Sequence, residues 1–355
     1  MILFSPDQLS AVTFAILRSV GATDSDARVV TDHLVKNSVV GHEGHGMSTL
    51  GDYVRMVRSG VVKCDGQMKV VKDMPGIGLI DGGWTWGQKI AEKGMEMAIE
   101  KAKKVGIGAV GAFNVTHIGR LGAWSAVALD HDMIGIVFVN GDPAVAPFGG
   151  MKPLLGTNPM SIAIPAEKCD PIIIDFATSA SAEGKIKDAY LKGEKIPEGW
   201  MVDSKGKVST NPGDYYAPPM PPLGFNRAGA QLPMGGLTGG YKGFGLSLAM
   251  DAIAGALTGT GVCFDVTIQG AFFQAINISA FSSVNNYKSL IDKLILSAKG
   301  IPKMEGVKEI LIPGEPEKRS EVKNLRDGVP VPEATWKGII EMGKTLDVDV
   351  ESIVK

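Results

Sequence analysis

From about residue 70 onward, short β-prone runs alternate with helical stretches, and this alternation confines the chain to an α/β architecture. Strands are predicted at 109–113, 134–139, 161–164 and 172–175, each bounded by turn residues. Residues 74–81 read as a turn feeding a further strand, 81–88 as a polar loop and 88–104 as a helix. Ahead of residue 70 the pattern is helical. Ser5-Pro6-Asp7-Gln8 is a capping box, in which the Ser5 hydroxyl caps, Pro6 suits the first turn and Gln8 reaches back. Leu9, Val12, Ile16 and Val20 follow at helical spacing until Gly21 stops the run. A second helix is expected after Thr23 and through Val35, and a third over 50–59.

In the second half, 211–231 contains Pro-Pro-Met-Pro-Pro and no period, so a surface excursion is expected there. A long helix should begin near Gly243. The longest apolar stretch, 244–264, is interrupted by Asp251 and by Gly255, Thr258, Gly259, Thr260 and Gly261, and reads as a buried core helix and not a membrane span. Helices are expected at 287–299 and 332–346, with a strand at 309–312 between them. There is no internal repeat.

The formal charge of -2 is spread in mixed signs, which excludes a basic nucleic-acid footprint or an electrostatic membrane tether. Cys64, Cys169 and Cys263 are far apart and form neither a disulfide framework nor a CxxC pair, so a reducing, cytoplasmic setting is expected. Asp7 precedes any apolar run that could act as a signal peptide. Glycine is the outlier, with 46 residues, pointing to tight turns and to close approaches such as a cofactor lying on main chain requires.

Gly106-Ile-Gly108-Ala-Val-Gly111 matches the dinucleotide fingerprint GxGxxG, but the fingerprint works only between a strand and a following helix. Here a lysine-rich helix precedes it and a strand follows, so it reads as a helix stop. No GxxxxGK[ST] phosphate loop is present either.

Two histidine segments carry candidate chemistry. Gly41-His42-Glu43-Gly44-His45-Gly46 lies between the second and third helices. His42 and His45 could be metal ligands, but loop glycines give no fixed face and no third ligand is near, so no metal is assigned. Asn114-Val-Thr-His117-Ile-Gly-Arg120 follows a strand. A histidine there is well placed for a site, and Arg120 could fork onto a carboxylate.

These segments are joined in order by Asn140-Gly-Asp142-Pro143, Gly156-Thr-Asn-Pro159, Ile174-Asp-Phe-Ala-Thr-Ser179, Gly184-Lys185-Ile, Ile196-Pro-Glu-Gly-Trp200, Gly240-Tyr-Lys242-Gly-Phe-Gly245 and Asp327-Gly-Val-Pro-Val-Pro-Glu-Ala-Thr-Trp336. Together they resemble the type 2 malate/L-lactate dehydrogenase family, which also holds sulfolactate, ureidoglycolate, diketogulonate and piperideine-carboxylate oxidoreductases. The likeness is collinear over nearly the whole chain.

The resemblance implies a non-Rossmann α/β nicotinamide-binding body, residues 74–317, beside a helical domain built from 1–73 plus 318–355, in a homodimer. It implies hydride transfer between NAD or NADP and a small 2-hydroxy or 2-oxo acid. The family's active histidine falls on His45 and the histidine of its Asn-x-x-His-x-Gly motif on His117; in the mechanism expected here His45 moves the proton, His117 polarises or relays, and Asp142 is the candidate carboxylate to orient it. The family's cofactor contacts fall on Gly141, Asp175, Ala177, Thr178, Ser179, Tyr241, Lys242, Gly314, Glu315 and Pro316. Two residues depart from the family pattern: Gly44 replaces a serine before the first histidine, and Thr49 replaces an arginine suited to a substrate carboxylate. Arg120 or Arg55 can supply that charge instead. Other readings are a cyclic imino acid reductase of the same family, a catalytically silent dinucleotide-binding relative, and a metal hydrolase on His42 and His45.

Overall fold

A computed structural model describes residues 1–216, 227–266 and 269–355. The chain runs β1 (Ile2–Phe4), α1 (Pro6–Ser19), α2 (Asp24–Val39), α3 (Leu50–Arg58), β2 (Lys69–Asp73), β3 (Ile77–Asp81), α4 (Gly87–Val105), β4 (Ile107–Val115) and α5 (Leu121–Ser125). There follow β5 (Met133–Gly141), β6 (Met160–Ile164), β7 (Ile172–Phe176), α6 (Glu183–Lys192), β8 (Met201–Val202), β9 (Val208–Ser209), β10 (Ala230–Gln231) and α7 (Gly236–Met250). The last elements are β11 (Gln269–Asn277), α8 (Val284–Gly300), α9 (Glu315–Asp327), β12 (Val329–Val331), α10 (Glu333–Lys344) and α11 (Val350–Ile353).

The main sheet has seven strands in the order β2-β3-β4-β11-β5-β6-β7. β3 and β4 pair in parallel through the α4 crossover, and the other neighbours are antiparallel. Helix α4 buries Ile90, Met95 and Ile99 against Val110, Val137 and Phe273, each such side chain contributing about 1.5–3 kcal/mol. A second core gathers Leu9, Val12, Ile16, Leu34, Tyr53 and Trp336 from the N- and C-terminal helices, joined by Val331 of β12 and by Trp86 just ahead of α4. The pairing of β1 with β12 ties the two ends of the chain together.

The local signals hold where they are strongest. The capping box at α1 is complete, with Ser5 Oγ accepting from the Gln8 N–H at 3.1 Å and Gln8 Oε1 from the Ser5 N–H at 2.9 Å. Thr23 caps α2. Gly106, at φ 91°, ends α4, and β4 follows at once, so the GxGxxG segment has helix before it and strand after it.

Four expectations fail. The long helix expected from near Gly243 already starts at Gly236, because Gly235 at positive φ turns the chain into it. Residues 309–312 form no ladder, because Pro313 has no N–H and the Ile312 N–H goes to the Glu315 carboxylate at 3.1 Å. The stretch 244–264 is not one buried helix. α7 ends at Met250, a π turn covers Asp251–Ala256, and Gly259 and Gly261 at positive φ turn the chain outward, leaving Leu257 69% and Phe264 74% exposed. The flanks of 211–231 are also not a surface excursion. Tyr215, Tyr216 and Ala230 are buried and β10 pairs with β8, while 217–226 lies outside the described residues.

The sheet's central strand, β11, has no counterpart among the predicted strands. Its small and amide residues Gly270, Ala271, Gln274 and Ala275 blur the alternation, as happens where both faces of a sheet are covered.

Candidate active site

Between α2 and α3 the chain reverses through two 3-10 turns, Glu43–His45 and Met47–Thr49. Helix α2 holds this reversal. Asn37 Nδ2 donates to the His45 carbonyl at 3.1 Å, while Ser38 Oγ accepts from the Met47 N–H and donates to Glu43, both at 2.9 Å. A Cβ at Gly46 would collide with Ser38 Oγ, so glycine is required there. Burial pushes the Glu43 carboxyl up to about 7, against the lowering pull of its bonds from Ser38 and Ser48.

His117 arrives from the sheet side, in the loop leaving β4. Thr116 Oγ1 donates to the Thr85 carbonyl at 2.7 Å, and the Ile118 N–H donates to Gln269 Oε1 at 3.1 Å. Gly87 lets the first turn of α4 lie directly on the Thr116 and His117 carbonyls. The His45 and His117 rings stand 5.8 Å apart between centroids and 9° from parallel, each partly accessible. The Tyr53 hydroxyl, from α3, bonds His117 Nδ1 at 2.8 Å, and Gln88 Nε2 donates to that hydroxyl.

Burial lowers His45 to about 3, with the positive fields of His117, His42 and Arg120 adding to it. Burial lowers His117 to about 4. His33 lies behind them, stacked on Trp124 at 4.7 Å, and burial lowers it too. All three are neutral at pH 7.

A stability prediction follows from the sign of these shifts. Their folded values lie below the ordinary 6.5, so the unfolded chain takes up protons first as pH falls. The stability these two histidines contribute is therefore full above about pH 6.5 and declines below it, while Glu43, raised to about 7, takes up its proton first in the folded state and offsets part of that loss. The loss by pH 5 is about 1–2 kcal/mol for each of His45 and His117, discounted for residual solvent contact. Denaturant midpoints at pH 7 and pH 5 in a Glu43→Gln background, where the opposing carboxyl is gone, measure it, and equal midpoints there would contradict the burial argument.

Of the expected charged partners, two sit elsewhere. Asp142 does not orient His117: it is 49% exposed and pairs with Arg227 at 2.6 Å, which also binds Glu183 at 2.8 Å. Tyr53 takes the position expected of Asp142. Arg55 lies on the outer face of α3, bonded to Asp52, and with Arg58 it lines a cleft of about 350 Å³ against α10. Arg120 is buried closer to the histidines. Its Nε donates to Asn37 Oδ1 at 2.9 Å, its backbone N–H donates to His33 Nε2 at 3.1 Å, and its guanidinium is 3.9 Å from Asp175. Asp175 also accepts the Gly122 N–H at 2.6 Å. Burial raises Asp175, and the Gly122 N–H and Arg120 oppose that rise. His42 bonds Glu317 at 2.8 Å, and no three metal-ligating side chains gather among the described residues.

The expected cofactor contacts form two groups. Gly141 donates its N–H to Asn158 Oδ1 at 3.1 Å, and Thr178 Oγ1 donates to the Asn158 carbonyl at 3.1 Å, so Asn158 ties the two together. Asn158 Nδ2 reaches the Ser247 carbonyl of α7 at 3.1 Å, on the helix that carries Tyr241 and Lys242. Ser179 turns back onto the Ser181 carbonyl, and Ala177 lies between Phe176 and Thr178. Gly314, Glu315 and Pro316 open α9 beside β7, where the Ile173 N–H donates to the Pro313 carbonyl at 2.9 Å.

Sequence reasoning passed over His33, Asn37, Tyr53 and Gln88. A signal existed for two of them: His33 and Asn37 lie four apart on the face of α2 that buries Val30 and Leu34. Polar residues on a buried stripe need partners, and here the partners belong to the site.

Residues 4–340 match the family model described as malate/L-lactate dehydrogenase. The L-sulfolactate dehydrogenase of Methanocaldococcus jannaschii is 35% identical, over 99% of this chain and 100% of that protein. The malate dehydrogenase of Pyrococcus abyssi is 33% identical, over 96% and 94%. The solved structure of sulfolactate dehydrogenase from Methanocaldococcus jannaschii superposes with a TM-score of 0.88 at 34% identity, covering all of both chains. With a model match over nearly its full length and the two histidine segments brought into one site, this chain belongs to the malate/L-lactate dehydrogenase family.

Proposed function

We propose that this protein interconverts a small 2-hydroxy acid and its 2-oxo form, with NAD or NADP as partner. The observation that carries this reading is the pair of neutral, facing imidazoles at His45 and His117. A dehydrogenase of this kind must move one proton at the substrate oxygen, and an imidazole does so near neutral pH.

The surface of α7 fits a flat dinucleotide. Gly236, Gly239, Gly240, Gly243 and Gly245 all fall in this helix; Gly236 opens it at φ 57°, and each interior glycine costs about 1 kcal/mol of helix propensity relative to alanine. Gly240 and Gly243 are explained by packing, since a Cβ would press on Phe148 and Met234. Gly239 and Gly245 are not, because nothing lies within 4 Å of either Cβ position. They leave bare helix beside exposed Tyr241 and Lys242. These residues, with Gly141, Asp175, Ala177, Thr178, Ser179 and Gly314 to Pro316, would hold the cofactor without a GxGxxG turn, in a non-Rossmann body. The bound nicotinamide supplies the hydride acceptor or donor.

The chain's own residues do the rest. Arg120 meets the substrate carboxylate; Arg55 points into a separate cleft. His45 takes the hydroxyl proton as the C2 hydrogen leaves as hydride, and returns it in the reverse direction. An anionic substrate against His45 raises its proton affinity for that step. His117 polarises the same oxygen. The two apolar cores support a division into a helical part and a sheet body close to 1–73 plus 318–355 and 74–317, except that Lys69–Asp73 pairs with β3 and belongs to the body; Trp86, Val29 and Met68 pack across it. Exposed Leu290 and Leu294, four residues apart on one face of α8, offer apolar surface for the homodimer that the family resemblance implies. No described helix is long and apolar enough to cross a membrane, and the three free cysteines suit a cytoplasmic setting.

Absorbance of the reduced nicotinamide, followed with both cofactors against a panel of three- and four-carbon 2-oxo acids, tests the reading. At least one acid should be reduced. Turnover of cyclic imines alone, or cofactor binding without any turnover, would overturn it.

A further inference from the structure

The hydrogen-bond chain behind His117 has a direction. Tyr53 is buried at 1% exposure, and its hydroxyl has one proton to donate. Gln88 faces that hydroxyl with Nε2, which can only donate, so in this amide orientation it occupies the acceptor side of the hydroxyl and leaves Gln88 Oε1 buried without a partner. The single phenolic proton is left for His117 Nδ1, 2.8 Å away, which must then accept. Burial also pushes the Tyr53 hydroxyl well above the usual phenol range, so it keeps its proton. A neutral imidazole that accepts at Nδ1 carries its own hydrogen on Nε2.

We propose that Gln88 and Tyr53 hold His117 as the Nε2–H tautomer, so that His117 donates a hydrogen bond to the substrate oxygen and leaves proton exchange to His45. This rests on the placement of both histidines in the active site under the function proposed above. Two imidazoles 5.8 Å apart then have separate duties. Were both to offer a lone pair, each would compete for the substrate proton and neither would stabilise charge on the oxygen. Tyr53 and Gln88 are positioning residues, since they act through His117.

Nitrogen-15 spectra of histidine-labelled protein, with His117 assigned from a His117→Asn variant, read the tautomer directly and need no turnover. The wild-type spectrum should place the hydrogen on Nε2. An Nδ1–H tautomer overturns the proposal, whatever the activity. In Tyr53→Phe the His117 Nδ1 resonance should lose its hydrogen-bond shift. Its kcat should fall about 10- to 100-fold, with KM for the nicotinamide unchanged within about twofold. Gln88→Glu, nearly the same shape, turns a donor into an acceptor. Above the titration of the new carboxyl, His117 should move toward Nδ1–H, and kcat should fall likewise. Unchanged His117 resonances in both variants would also overturn the lock. An Nε2–H tautomer in a protein that turns over no 2-hydroxy acid would sink the enzymatic reading and leave the tautomer standing.

Discussion

Replacing His45 with alanine lowers kcat by about 10²- to 10⁴-fold and leaves nicotinamide affinity within about twofold. The expected split comes from how the turn is built. Asn37 holds the His45 carbonyl and Ser38 holds Glu43 and Met47, so the backbone keeps its shape without the imidazole. What disappears is the imidazole that faces His117. No other side chain on that turn replaces it: His42 faces Glu317, and Thr49 Oγ1 is tied to the Gly46 carbonyl. Steady-state rates and a fluorescence titration of the reduced cofactor measure the two effects. Turnover at the wild-type rate would remove His45 from the chemistry. Loss of cofactor affinity in parallel with rate would move it to a binding role.

The second large effect concerns stability. Gly108→Ala should destabilise the protein by about 3 kcal/mol or more. Gly108 sits on β4 where α4 crosses the sheet, and an added Cβ would collide with the Ala98 carbonyl of that helix and press on Lys101. The obstacle is backbone in a packed layer, and it cannot be relieved by a rotamer change. The two other glycines of the apparent fingerprint have their own packing reasons. Gly106 ends α4 at positive φ, and Gly111 on the opposite face meets Thr258. The variant therefore discriminates two roles for the motif. A helix–sheet contact predicts a lower denaturation midpoint with cofactor affinity unchanged in the folded fraction. A dinucleotide turn predicts weaker cofactor binding at an unchanged midpoint, and that result would contradict the packing argument.

Both effects begin in residues that could be read directly. The inverted order of helix, GxGxxG and strand was legible because helical and strand periods differ over a dozen residues. The capping box at Ser5 and the cap at Thr23 were legible because a helix start is a contract among four consecutive residues. The strand expected at 309–312 was misplaced for the complementary reason. An extended apolar run becomes a strand only if a neighbour offers a ladder, and here Glu315 took the available N–H first. Strand β11 went unrecognised because its identity comes from β4 and β5 on either side.

The site divides the same way. His45 and His117 could be singled out by local setting, each in a glycine-marked loop. Arg120 could be singled out as well, and it lies near them. The partner of His117 could not. Asp142 was reasonable by motif, yet Arg227, distant in sequence, draws it away, and Tyr53, 64 residues before His117, holds the ring.

By itself the sequence determined the class of fold, the capped starts of the first two helices and the family, and it marked His45 and His117 as candidates, because each is written in spacings of a few residues or in collinear motifs. Tertiary structure alone decided what those imidazoles touch, how far burial shifts them and which carboxylate is turned elsewhere. Those properties depend on distances between segments 60 or more positions apart, and solvent exclusion and hydrogen-bond direction exist only once the segments have met.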